Sequence, residues 1–131
     1  MKLRILIVED SEKLLAELDM CISMIDGIEI VGTAQSEKEA IDMYGAKKPN
    51  VVILDIRLKE GNGLNVLAAV KKETPPPIVL MLTNYPFSQY REKCKELGAD
   101  FFFDKSRDIQ GFMHKLWEIS HLNQNKMEEN K

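Results

Sequence analysis

The stretch Val51-Val52-Ile53-Leu54-Asp55 decides how this 131-residue chain folds. Four apolar residues in a row, three of them β-branched, leave the segment without a polar face. Strands buried on both sides have that character, and they belong to parallel sheets covered by helices. The run then ends on an acid, at the point where the chain must leave the sheet. Residues 78–82, IVLML, form a second wholly apolar run, so these two are expected as central strands.

On either side of them, short apolar runs alternate with longer segments of helical period, the pattern of βαβ units. Five such rounds are visible. Residues 3–8 read as a first strand. Ser11 then caps a helix with Leu14, Leu15, Leu18, Ile22 and Ile25 on one face, ended by Asp26-Gly27. Residues 28–33 alternate apolar with polar or small residues and suit an edge strand. Ser36-Glu37-Lys38-Glu39 is a capping-box sequence; its helix fades at Gly45 and must stop by Pro49. Residues 63–73 read as a third helix, closed by Thr74 and the prolines at 75–77. Pro86 suits the first turn of a fourth helix running to Leu97, with Gly98 as its stop. Phe101-Phe102-Phe103 is a fifth strand, and Ser106 caps a last helix with Ile109, Phe112, Met113, Leu116 and Ile119 on its inner side. Residues 1–122 are thus expected as one domain, and the polar residues 123–131 as a frayed tail.

The bulk composition narrows the functional classes. An apolar fraction of 44% supplies a real core, and 131 residues leave no room for a second domain. The net charge is only −3, without a basic block, so the phosphate attraction that nucleic-acid binders use is missing. Cys21 and Cys94 form no metal-ligand or redox spacing and are expected as reduced thiols. The first apolar run is too short for a signal peptide and no later run could span a bilayer, so a cytoplasmic protein without membrane attachment is expected.

Right-handed crossovers make the strands parallel, so their C-terminal ends emerge along one sheet edge, where ligands of open α/β sheets bind. The first strand ends in Glu9-Asp10, the third in Asp55, the fourth in Thr83 and the fifth in Asp104-Lys105. Any one of these acids alone is explained by the preference of acids for turns and helix starts. If the first and third strands are neighbours, however, three carboxylates converge. Hard oxygen donors without thiol or imidazole suit Mg²⁺.

The segments ILIVEDS, VVILDIRLKEGNGL, IVLMLTN and GADFFFDKS, in that order, resemble the signature blocks of response-regulator receiver domains, across nearly all of residues 3–121. The resemblance implies a doubly wound, flavodoxin-like α/β fold: five parallel strands in the order 2-1-3-4-5, with five helices. It implies that Asp55 accepts a phosphoryl group from a phosphohistidine, with Lys105 and Thr83 facing the phosphoryl oxygens. Glu9, Asp10, Asp55 and the main-chain carbonyl of Arg57 would hold Mg²⁺. Thr83 and Phe102 would form the switch, although a Phe inside Phe-Phe-Phe is equally explained as core; Phe101 and Phe103 should face the other way. The implied partners are a sensor histidine kinase or phosphotransfer protein, and a downstream protein bound through the fourth helix, fifth strand and fifth helix. A homodimer is also compatible with the family. The domain would be a signalling acceptor rather than an enzyme with external substrates.

Three departures from the family pattern bear on rate. Lys59 and Ser106 stand where prolines are usual, so no cis peptide is expected after Lys105. Asn84 follows Thr83 where a smaller residue is common, and Arg57, Asn84 and Tyr85 are expected to form a rim that tunes phosphoryl lifetime. His114 and His121, seven apart on the last helix, read as solvated surface without a carboxylate partner. The seven methionines read mostly as core filling. The alternatives are the receiver part of a longer DNA-binding regulator, or an Asp-nucleophile phosphatase. The second is disfavoured because Arg57 occupies the place of that chemistry's second acid. A flavin protein of similar fold is disfavoured too, because no Ser/Thr/Gly-rich phosphate loop follows the first strand.

Overall fold

The computed structural model describes residues 2–129, with side chains as far as Lys126. Strands and helices alternate throughout: β1 (Leu3–Val8), α1 (Glu12–Ser23), β2 (Ile28–Ala34), α2 (Glu37–Lys47), β3 (Val51–Leu54), α3 (Gly63–Val70), β4 (Ile78–Thr83), α4 (Ser88–Glu96), β5 (Phe101–Asp104) and α5 (Ile109–Glu129). The strands form one sheet in the order β2-β1-β3-β4-β5, with every pairing parallel. This is the doubly wound topology that the family resemblance implied. The order reverses between β1 and β3, which pair from Ile5↔Val51 to Val8↔Leu54.

Strand alternation divides the core into two layers. Leu3, Ile5, Ile7, Val51, Ile53, Leu80, Leu82 and Phe103 point to one side, where Leu18 and Ile22 of α1 and Phe112 and Leu116 of α5 cover them. Leu6, Val8, Val52, Leu54, Val79 and Met81 point to the other, under Ala40 and Tyr44 of α2, Val66, Leu67 and Val70 of α3 and Cys94 of α4. All four residues of β3 are buried, so the unbroken apolar run was the correct sign of a strand covered on both faces.

The caps explain where most helices begin. Ser11 Oγ accepts from the Leu14 amide, and Ser36 Oγ from the Glu39 amide, as their sequences predicted. Three boundaries differ from expectation. Pro86 lies before α4, whose N-cap is Phe87. α3 ends at Val70, three residues before residue 73, because the Lys71, Lys72 and Glu73 amides fold into turns on Leu67, Ala69 and Val70 carbonyls. Ser106 does not cap α5. Its amide and hydroxyl both bind Asp104 Oδ1, and the helix starts only after Asp108, whose carbonyl receives the Phe112 amide. Ile109 is consequently exposed rather than on the inner face.

The expected tail also differs. α5 continues to Glu129, since a polar sequence without Gly or Pro can extend a helix already anchored by its buried half; residues 130–131 lie outside the described residues. His114 does have a carboxylate partner, Glu118 Oε1 at 3.0 Å, one helical turn along, and both histidines stack on Trp117. Met81 is core, but Met20 on α1 and Met24, the residue capping its C-terminus, are exposed. No helix among the described residues is long and apolar enough to cross a membrane.

Candidate functional site

Parallel pairing places Val8 beside Leu54, and so brings the residues that follow them, Glu9-Asp10 and Asp55, together at one sheet edge. One carboxylate oxygen from each of these three lies within 4.8 Å of the others. Glu9 and Asp55 are almost wholly buried, at 2% and 4% exposure, while Asp10 is open to solvent. Lys105 enters from the far side of the edge. Pairing of Thr83 with Asp104, and a bond from the Lys105 amide to the Thr83 carbonyl at 2.9 Å, fix its backbone. Its ammonium donates to Asp55 Oδ2 at 2.7 Å and to Glu9 Oε1. The Ile56 amide donates to Asp55 Oδ1 at 2.7 Å, which sets the rotation of that carboxylate.

One ammonium facing three carboxylates leaves the cluster short of positive charge. Burial and a hydrogen bond with Asp10 push the Glu9 carboxyl up to about 7, against the opposing pull of Lys105. Burial works to lower Lys105, but Asp55 and then Glu9 outweigh it, and its ammonium is held more firmly than an ordinary lysine. An all-oxygen donor set with an excess of negative charge fits a divalent hard cation such as Mg²⁺.

Thr83 is fully buried at the end of β4, and its Oγ accepts from the Tyr85 amide at 3.0 Å. Phe102 is half-buried against the α2–α3–α4 layer, with the Arg91 guanidinium 4.4 Å above its ring, whereas Phe101 and Phe103 pack on the opposite layer. At the rim, Arg57 and Asn84 are exposed and Tyr85 is half-buried, with the Arg57 guanidinium 4.2 Å above the Tyr85 ring. The Lys105–Ser106 peptide is trans, as the missing proline implied.

Two supporting residues were missed in the sequence. Gly63 packs directly on the Asp55 backbone: a Cβ there would stand 1.9 Å from the Asp55 carbonyl oxygen. The signal was the second glycine of Gly61-Asn62-Gly63, since one glycine suffices for the turn. Glu37 was read only as part of a capping box. Its carboxylate accepts from the Asn62 amide and the Asn65 side chain, both at 3.0 Å, and its amide binds the Glu60 carbonyl. The loop following Asp55 is thereby stitched to α2, a long-range contact that no local pattern announces.

An open α/β sheet with a lysine-bridged acidic cluster at its point of reversal places the protein in the doubly wound α/β class, with its candidate site at the C-terminal ends of the strands. The chain belongs to the response regulator receiver domain family, whose model matches residues 5–116. It is 32% identical over 119 residues to a protein-glutamate methylesterase/protein-glutamine glutaminase of Caulobacter vibrioides, covering 90% of this chain and 35% of that protein. It is 31% identical over 112 residues to the sensory transduction protein LytT of Bacillus anthracis, covering 82% of this chain and 45% of that protein. The chain thus spans less than half the length of these curated relatives. Among solved structures, the non-phosphorylated HemR receiver domain of Leptospira biflexa superposes with a TM-score of 0.80 at 31% identity, covering 91% of this chain and 94% of that one.

Proposed function

We propose that Asp55 accepts a phosphoryl group from a phosphohistidine on a sensor histidine kinase or phosphotransfer protein, and that the aspartyl-phosphate alters a protein-binding surface made by α4, β5 and α5. The observation that carries this is the Asp55 carboxylate itself. It is oriented by the Ile56 amide, paired with Lys105, and set beside Glu9 and Asp10 in an arrangement that matches phosphoryl chemistry.

In the transfer an Asp55 carboxylate oxygen forms the new O–P bond, the P–N bond to the donor breaks, and its electron pair returns to the imidazole nitrogen. Lys105 holds a fixed positive charge where negative charge remains on the phosphoryl oxygens, and Thr83 offers a hydroxyl proton to one of them. Glu9, Asp10, Asp55 and the Arg57 main-chain carbonyl would hold Mg²⁺. The cation, when bound, neutralises phosphoryl charge. Phe102 lies beside α4 through Arg91, so movement at Thr83 and Phe102 would be felt on the α4–β5–α5 surface. The rim of Arg57, Asn84 and Tyr85 narrows access, and the aspartyl-phosphate is proposed to hydrolyse more slowly than in relatives built for rapid reset.

Incubation with Mg²⁺ and acetyl phosphate, followed by intact-mass analysis, tests the acceptor. The wild type should gain one phosphoryl group and Asp55→Ala none; equal labelling of both, or of neither, rejects the assignment. Asn84→Ala should shorten the lifetime of the adduct, and an unchanged lifetime rejects the role of the rim.

A further inference from the structure

The loop between β3 and α3 carries the Arg57 carbonyl, and a neighbour from outside the loop sets where it lies. Within the loop, Arg57 and Asn62 face each other across an antiparallel β-bridge, and the Gly63 amide donates to the Ile56 carbonyl at 2.7 Å. These contacts close the loop but leave its tip unanchored. The start of α2 supplies the anchor. The Lys59 amide donates to the Gln35 carbonyl at 3.1 Å, and the Glu37 amide to the Glu60 carbonyl at 2.9 Å. One carboxylate oxygen, Glu37 Oε1, then accepts from both the Asn62 amide and Asn65 Nδ2, each at 3.0 Å. Among the described residues, no other side chain from outside the loop bonds its backbone. A Cβ on Gly61 would collide with the Glu37 side chain, so loop and helix meet at close range there. The two donors hold the Glu37 carboxyl below the usual carboxylate range, Asn65 first and the Asn62 amide second.

We infer that Glu37 is a positioning residue for the cation site: through the Asn62 amide and the bridge opposite it, α2 fixes Arg57 and with it the main-chain carbonyl that would face Mg²⁺. This rests on the proposed site of Glu9, Asp10, Asp55 and the Arg57 carbonyl. Glu37 itself is no member of the acidic cluster, so its contribution runs through hydrogen bonds and not through its charge. A loop freed from α2 presents the carbonyl correctly for only part of the time, and apparent affinity falls by that fraction.

Two measurements on the whole chain test this. Mg²⁺ alone is titrated by calorimetry at pH 8, above the Glu9 value of about 7. Amide hydrogen exchange is followed over residues 57–63 without Mg²⁺. Glu37→Ala should weaken Mg²⁺ binding about 10-fold, the lower end of what losing the support of a metal ligand does. It should also raise exchange of the Asn62 amide about 5- to 10-fold, the effect of one lost hydrogen bond on local opening. Glu37→Gln keeps an oxygen acceptor at the same reach without the charge, and should stay within about 3-fold of wild type in both measurements. If Glu37→Ala does not fold, Glu37→Asp takes its place with the same expectations, its carboxylate being one methylene short of Asn62. Unchanged Mg²⁺ affinity on losing the Glu37 contacts overturns the positioning role. So does Glu37→Gln binding as weakly as Glu37→Ala, which would make the effect one of charge, and so does weaker binding without faster exchange. A wild type that binds no Mg²⁺ rejects the cation site itself, and the positioning role with it.

Discussion

Two glycine-to-alanine substitutions should move stability in opposite directions, and the contrast isolates the packing beneath Asp55. At Gly63 a Cβ would meet the Asp55 carbonyl oxygen at 1.9 Å, its carbonyl carbon at 2.9 Å and Ile56 Cα at 3.0 Å. These are backbone atoms, so no side chain can swing away. Relief requires the loop and the start of α3 to separate by about 1 Å, at the usual overpacking cost of about 1–3 kcal/mol. It also stretches the bond from the Gly63 amide to the Ile56 carbonyl, 2.7 Å in the native protein. That loss adds about 1 kcal/mol. The gain in helix propensity offsets less than about 1 kcal/mol at a first helical residue. Gly63→Ala should therefore destabilise by about 3 kcal/mol and lower Tm by about 10 °C. Gly45 lies inside α2 with open space where its Cβ would be. There the same change should stabilise by about 0.5–1 kcal/mol. Urea unfolding followed by far-UV circular dichroism measures both. A Gly63→Ala protein within 0.5 kcal/mol of wild type, the ordinary scatter of surface substitutions, would refute the reasoning, as would a destabilised Gly45→Ala.

Without Mg²⁺, the folded protein binds a proton at Glu9 more tightly than the unfolded chain, with the carboxyl moved from 4.5 to about 7. This contribution is complete below pH 4.5 and is lost as pH rises through about 7; in chelator, Glu9→Gln should flatten that part of the stability–pH curve, and an unaltered slope counts against it. Cys94 is fully buried, and burial pushes its thiol up to about 11, whereas Cys21 is exposed. Thiol titration at pH 8 should show one fast group, removed by Cys21→Ser, and a second that reacts only on unfolding; two fast groups in the native protein contradict the packing. Ser36→Ala should cost about 1 kcal/mol in urea unfolding by removing the cap on α2, and a neutral result would mean that the Glu37 contacts alone hold that terminus.

Much of the architecture was legible because its determinants are local. The four apolar residues of β3 and the capping serines at 11 and 36 each act within a few positions of themselves. The acidic ends of β1 and β3 were legible as well, once parallel strands put all C-terminal ends on one edge. Ser106 misled because a hydroxyl before a helical pattern looks the same whether it caps the helix or, as here, binds back to Asp104. The last turns of α5 misled because polar residues without a breaker follow whatever the preceding turns impose.

The sequence by itself determined the βα rhythm, the core and the residue types at the strand ends, since hydrophobic period and capping are properties of neighbours along the chain. Only the tertiary structure decided how those ends meet: Lys105 bridging Glu9 and Asp55, Gly63 seated on the Asp55 carbonyl, Glu37 stitching the loop, and Arg57 lying over Tyr85. These contacts join residues from separate elements, and a side chain's partner across such a gap depends on distances and rotamers that pattern alone does not carry.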